Sequence, residues 1–245
     1  MEPEEYGRIA AAETGHWWYR NTRALVAELL APHLRSGITV LDAGCGPGGN
    51  GAWLGSLGTV VGLDREMNAL SYVAERHAAT RPVRGTVAAL PFADATFDVV
   101  LSLTVLYSIR DDAQAVSEFA RVTKRGGVLV LLEPAYEAFR REHDRTVHGV
   151  RRYRVRELRR LVENAGWRVR RDTYAYSFLV PAAAVLAVAD RFRHGLPEPA
   201  NGTSSDVERR SFDRLFAALA RAETHYIQKH RMPLGLSVIV LAVRD

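Results

Sequence analysis

The stretch VLDAGCGPGGN, Val40 to Asn50, places Gly44, Gly46, Gly48 and Gly49 directly after an apolar run, with the carboxylate of Asp42 two positions ahead of the first glycine. Gly44, Gly46 and Gly49 fit G-x-G-x-x-G, a pattern in which amides at a helix start hold a pyrophosphate. Gly44, Gly46 and Gly48 equally fit G-x-G-x-G. Asp42 favours the second pattern, because a carboxylate at the mouth of the turn repels phosphate and attracts an ammonium or a sulfonium. Glycines remove Cβ atoms and let a flat ligand lie against bare backbone. Asp64 closes the next apolar run, about twenty residues on, where an acid can accept both hydroxyls of a ribose. Capping the following helix is the competing role for Asp64.

A ligand with an amino acid group, a sulfonium, a ribose and no phosphate is S-adenosylmethionine (SAM), and these residues together point to it. Displacement at a sulfonium methyl needs mainly alignment of nucleophile, carbon and sulfur. A base enters only where the acceptor must lose a proton. The candidates for that role lie in one segment, His143, Asp144, His148 and Tyr153, and His143 has the most suitable pKa. A loop histidine bonded to backbone is the plain alternative for His143. Trp17, Trp18, Tyr19 and Tyr107 are aromatic groups able to face a sulfonium, each for roughly 0.5–2 kcal/mol. Tyr19 and Arg20 are expected near the pocket, on an N-terminal helix acting as a lid; packing onto the sheet is the alternative for the Trp pair. No His, Cys or carboxylate spacing matches a recognised zinc site, so no metal is expected.

These residues need a scaffold, and the hydrophobic pattern supplies one. Short apolar runs alternate with helical periodicity, as in a parallel sheet covered on both faces. Strands are expected at ITVLDA, TVVGLD, RPVRGTV, FDVVLSL, GGVLVLLE and WRVRRDTYAY, with helices at NGAWLGSLG, MNALSYVAERHA, DAQAVSEFARVTK and RVRELRRLVENAG. The rhythm then breaks. Pro181–Arg193 and Val207–Lys229 read as helices around the breaker-rich HGLPEPANGTSS, and LSVIVLAV reads as a last strand. The expected organisation is an N-terminal helical lid (1–38), a core (39–176 and 234–245) and a helical cap (177–233).

Composition narrows the class. The 245 residues are 47% hydrophobic and 25% charged, with a net charge of +5, as in an ordinary globular enzyme. The cluster RRYRVRELRR reads as a solvated helix face. The charge is otherwise spread out, so nucleic acid is not an expected partner. The single cysteine, Cys45, excludes an intrachain disulfide and suits a reducing compartment. The acidic start MEPEEYGRIA lacks the apolar core of a signal peptide. The run SFLVPAAAVLAVA is shorter than the about 20 residues that span a bilayer. A cytoplasmic protein without membrane insertion, a monomer or homodimer, is expected.

VLDAGCGPGG, VVGLDRE, AALPFADATFDVVLS and RVTKRGGVLVLLEP stand in the order and spacing of class I SAM-dependent methyltransferases, and the chain resembles their type 11-like small-molecule branch over Thr39 to about Tyr174. HWWYRNTR, HDRTVHGVRRYRVRELRRLVENAGW and MPLGLSVIVLAV resemble a bacterial subgroup of that family. The resemblance implies an α/β, Rossmann-like fold whose seven-stranded, mostly parallel sheet has an antiparallel last strand behind a helical insertion. It implies SAM as cofactor, with Asp42 and the turn Gly44, Cys45, Gly46 and Gly48 at the methionine portion. Cys45 is also explicable as a small buried residue of that turn. Asp64 would meet the ribose, Arg65 and the Val87 backbone the adenine, and Leu103 the amino acid. Thr86 stands where relatives often carry an Asp. Tyr107 and Ser108 replace a common Glu-His, and Tyr107 joins His143 and Asp144 as a candidate at the reacting end. The expected function is methyl transfer to a small metabolite, with Arg151, Arg152 and Arg154 offered to an acceptor carboxylate or phosphate. The alternatives are cyclisation of SAM itself with release of methylthioadenosine, methylation of nucleic acid, and a non-enzymatic SAM-binding subunit.

Overall fold

A computed structural model describes residues 3–77, 79–140, 144, 147–193 and 213–245. Helices α1 (Pro3–Ala12) and α2 (Trp17–Leu30) precede the sheet. His16 caps α2, its Nδ1 accepting the Trp18 amide at 3.3 Å. The chain then runs β1 (Ile38–Ala43), α3 (Gly51–Gly55), β2 (Gly58–Asp64), α4 (Met67–Arg76), β3 (Thr80–Arg84) and β4 (Phe97–Leu103). It continues through α5 (Asp112–Val122), β5 (Thr123–Pro134), α6 (Val155–Asn164) and β6 (Trp167–Ala175). Helices α7 (Val180–Arg193) and α8 (Asp213–Lys229) come before β7 (Ser237–Arg244).

The seven strands lie in the order β3-β2-β1-β4-β5-β7-β6. Strands β1 to β5 pair in parallel, and β7 runs antiparallel between β5 and β6. The direction of β7 follows from where the insertion begins and ends. Ala175, the last residue of β6, and Pro134, the last of β5, both pair with Ser237, the first of β7. The chain therefore re-enters the sheet from the carboxyl edge it had just left.

Alternation along the strands divides the core into two faces. Leu41, Leu129 and Leu131 pack with Phe119 of α5 and with Leu158 and Val162 of α6. Val40, Leu101 and Val130 face the other way, onto Leu25 and Val26 of α2 and Ala217, Ala220 and Ile227 of α8. Helix covers on both faces explain why the central strands read as continuous apolar runs. β3 starts one residue earlier and ends sooner than its sequence pattern indicates, because Thr86 and Ala89 form an isolated bridge that turns the chain. β5 begins at Thr123, three residues before the apolar run. Residues 207–212 of the expected last helix lie outside the described residues.

Candidate active site

The carboxyl ends of β1, β2, β4 and β5 open into a cavity of about 670 Å³, closed over by residues of α1, α2 and α7. Ligands of open α/β sheets bind at this edge. On the floor, Gly44, Gly46 and Gly48 have φ of 80°, 54° and 92°. They differ in what surrounds them. A Cβ on Gly44 would lie 2.4 Å from Val105 Cγ2, and one on Gly48 would lie 2.9 Å from Val73 and His77. One on Gly46 would meet nothing within 4 Å. Gly44 and Gly46 line the cavity, with Cys45 between them; Gly48 packs against α4 instead.

The turn is tied to β2. Leu63 O accepts the amides of Gly44 at 2.7 Å and Cys45 at 2.9 Å. The Asp64 carboxylate accepts the Gly46 amide at 3.0 Å through Oδ2 and the Glu66 amide at 3.0 Å through Oδ1. Asp64 also lines the cavity, so the anchoring role and a ligand-facing role coexist in one side chain. Burial raises its pKa. Burial likewise raises the Cys45 thiol, which keeps it protonated and inert in the turn.

Asp42 is not on the cavity wall. It is 2% exposed, and its Oδ2 accepts Asn50 Nδ2 at 3.2 Å, so that Asn50 reaches the wall in its place. Burial pushes its pKa up to about 7. Arg65, Val87 and Leu103 line the cavity, and Arg65 Nε donates to Glu66 Oε1 at 2.9 Å. Tyr19 lies on the wall with its ring edge-on to Trp18, centroids 4.9 Å apart. Arg20 is exposed and off the wall; Arg23, one turn further along α2, lies on it. Trp17 is buried against Tyr176, Phe178 and Phe216 and serves mainly as packing.

Of the candidates for the reacting end, Tyr107 and Asp144 share the cavity and His143 lies outside the described residues. Tyr107 is 8% exposed, and burial, followed by the nearby Glu133 and Asp144 charges, raises its hydroxyl pKa. Asp144 is bound by both arms of Arg152, Nε at 2.9 Å and Nη2 at 3.0 Å. Arg152 is thereby committed to an internal pair. Arg151 pairs with Asp112, which also accepts the Tyr153 hydroxyl at 2.7 Å. Arg151 and Tyr153 are therefore structural, off the wall. His148, with φ of 58°, does line it. Among the described residues no three His, Cys, Asp or Glu side chains gather as a metal site.

Two residues that sequence reasoning passed over shape the site. Glu133 of β5 is fully buried and accepts the amides of Val105, Leu106 and Tyr107 at 3.2, 2.9 and 3.1 Å. It fixes the loop after β4 that walls the cavity. Burial nevertheless raises its pKa to about 8, against the pull of those amides. A charge inside VLLEP was a usable signal, since such groups persist only when bonded. Glu13, following α1, is 9% exposed and lies on the wall. Nothing local in the sequence marked it.

Residues 41–131 match the family model described as "Methyltransferase domain". A "probable S-adenosylmethionine-dependent methyltransferase" of Mycolicibacterium smegmatis is 34% identical over 161 residues, 64% of this chain and 62% of that protein. The match thus spans less than two thirds of that relative. Phosphoethanolamine N-methyltransferase 2 of Haemonchus contortus, solved with SAM, has a similar fold (TM-score 0.64, 16% identity, 100% of this chain and 57% of that one). So does the [4+2]-cyclase SpnF (TM-score 0.56, 20% identity, 90% and 80%). The strand order, the antiparallel β7 and the glycine turn after β1 define the Rossmann-like fold of class I SAM-dependent methyltransferases, whose cofactor is SAM. Over residues 41–131 the chain is thus similar to a methyltransferase domain.

Proposed function

We propose that this protein is a SAM-dependent methyltransferase acting on a small, partly apolar metabolite of bacterial secondary metabolism. The observation that carries the reading is the bare backbone at Gly46, open to the cavity and buckled to Asp64 at the end of β2. Bare backbone at Gly46 beside a carboxylate fits a cationic nucleoside better than a pyrophosphate. Bound SAM supplies an electrophilic methyl group on a sulfonium.

The chain's own residues bind, orient and exclude water. On this reading Asp64 takes the ribose hydroxyls, Arg65 and the backbone at Val87 border the adenine, and the loop from Leu103 holds the amino acid portion. Residues 1–38 act as a lid and residues 177–233 as a cap over the core. Ala182, Ala183 and Leu186 of α7, with Phe216 of α8, give the cavity an apolar ceiling, which supports an acceptor with apolar surface. Tyr107 and Asp144 stand beside the acceptor's place. The Asp144 carboxylate, held by Arg152, orients rather than shuttles, whereas His143 remains the proposed proton acceptor where one is needed. The aromatic walls at Trp18, Tyr19 and Tyr107 also suit the second reading, cyclisation of SAM itself, and the SpnF cyclase carries a reaction other than methyl transfer on a similar fold.

Incubating the purified protein with SAM alone and quantifying methylthioadenosine by mass spectrometry, with Asp42→Ala as control, separates the two. Intact SAM, followed by S-adenosylhomocysteine when metabolites are screened as acceptors, is the expected result. Methylthioadenosine above the control overturns methyl transfer.

A further inference from the structure

Resting on the SAM reading above, we propose that Glu13 is a further cofactor-binding residue: its carboxylate receives the amino group at the methionyl end, and so ties the N-terminal helices to the presence of that end. The cavity wall carries three carboxylates beside or opposite the glycine turn, Glu13, Asp64 and Asp144. Two are committed. Asp64 binds backbone amides with both oxygens, and Asp144 is held by both arms of Arg152. Asp42, the carboxylate the motif offers, is off the wall behind Asn50.

Glu13 sits directly over the turn. A Cβ placed on Gly49 would lie 2.5 Å from its carboxyl carbon and within 2.8 Å of both oxygens, so a glycine is required there for the carboxylate to approach. The nearby Gly49 amide favours its charged form. Arg23 of α2 donates to the Glu13 carbonyl, which holds the residue at this place between the two helices. The charged groups around the carboxylate are Arg23 of α2, Asp42 of β1 and Arg76 of α4. Burial, its largest influence, raises the pKa to about 7. A ligand ammonium compensates that burial, and its binding releases the proton.

The test uses calorimetric titration of wild type and Glu13→Gln with three probes: SAM, S-adenosylhomocysteine and methylthioadenosine. The first two carry the amino acid and the third lacks it. At about pH 8, Glu13→Gln is expected to weaken SAM and S-adenosylhomocysteine roughly tenfold or more, as for loss of a charged hydrogen bond, and methylthioadenosine by less than about twofold. For wild type, SAM affinity rises from about pH 6 to pH 8 with proton release, and Glu13→Gln releases fewer protons. Equal losses for all three probes would assign Glu13 a structural role and overturn the proposal. So would unchanged affinities. Should Glu13→Gln fail to fold, Glu13→Asp, which draws the charge back by one methylene, must show the same selective loss. If wild type binds none of the three, the SAM reading itself falls; if only the selectivity is missing, the assignment of Glu13 alone falls.

Discussion

Gly44 and Gly46 share a left-handed backbone but face different neighbours, so alanine at the two positions should fail in different ways. At Gly44 a methyl group runs into Val105, in addition to the strain of φ 80°. Gly44→Ala is expected to lose on the order of 1–3 kcal/mol of stability in urea denaturation. At Gly46 the methyl enters open cavity. Gly46→Ala should cost about 1 kcal/mol of strain yet weaken SAM binding by a larger factor, measured by titration. Buried carboxylates give a second expectation at this scale. Asp42 and Glu13 sit at about 7 in the fold against ordinary values of 3.8 and 4.5. Between those limits the folded chain binds more protons than the unfolded one. Their contribution to ligand-free stability is therefore greatest at acid pH and is lost as pH rises from about 4 through about 7. Asp42→Asn should flatten that fall in denaturation midpoints taken across the range.

Elements are held at the cavity by acids that clamp backbone amides, Glu133 buried and Glu223 half-buried. Glu133, on β5, fixes the loop that follows β4 through three amides. Glu133→Ala leaves those amides buried without an acceptor, a loss of about 1–3 kcal/mol for each group that water cannot reach. Reduced thermal stability together with faster hydrogen exchange at Val105 to Tyr107 would show it; exchange unchanged there would contradict the clamp. Glu223 of α8 does the same for the entry to α7, accepting the amides of Tyr176 and Ser177 and the Ser177 hydroxyl. Tyr176, with φ of 60°, also meets Thr22 of α2 through its hydroxyl. Glu223→Gln should therefore increase exchange over residues 176–186 while leaving β1 and β4 protected. Exchange mass spectrometry reads both regions in one experiment.

At the scale of the whole molecule, the cavity is bounded by segments far apart in sequence: α1 and α2, the ends of four strands, and α7 and α8. A ligand that touches all of them stabilises the native state by mass action. SAM at about a hundred times its dissociation constant should add ~2.7 kcal/mol, which for a chain of this size raises Tm by roughly 5–10 °C. Protection from hydrogen exchange should grow in α1 and α7 together. A gain confined to the sheet would mean that neither helical segment closes on the cofactor.

The sequence by itself determined the sheet and the floor of the site. Runs such as FDVVLSL are legible because a strand covered on both faces must be apolar throughout, and Phe97–Leu103 is the strand observed. The glycine turn and Asp64 are legible because φ values of 54–92° and a carboxylate at a strand end demand particular residue types at fixed spacing. Tertiary structure decided the rest. Whether a carboxylate reaches the cavity depends on a neighbour such as Asn50, which covers Asp42. Whether an arginine is offered to a ligand depends on an acid from elsewhere in the chain, as Asp144 takes Arg152 and Asp112 takes Arg151. Glu13 has no local pattern at all; it reaches Gly49 only because α1 lies across the turn. Local spacing records what the backbone requires, whereas burial and pairing of charges arise between elements that only the folded chain brings together.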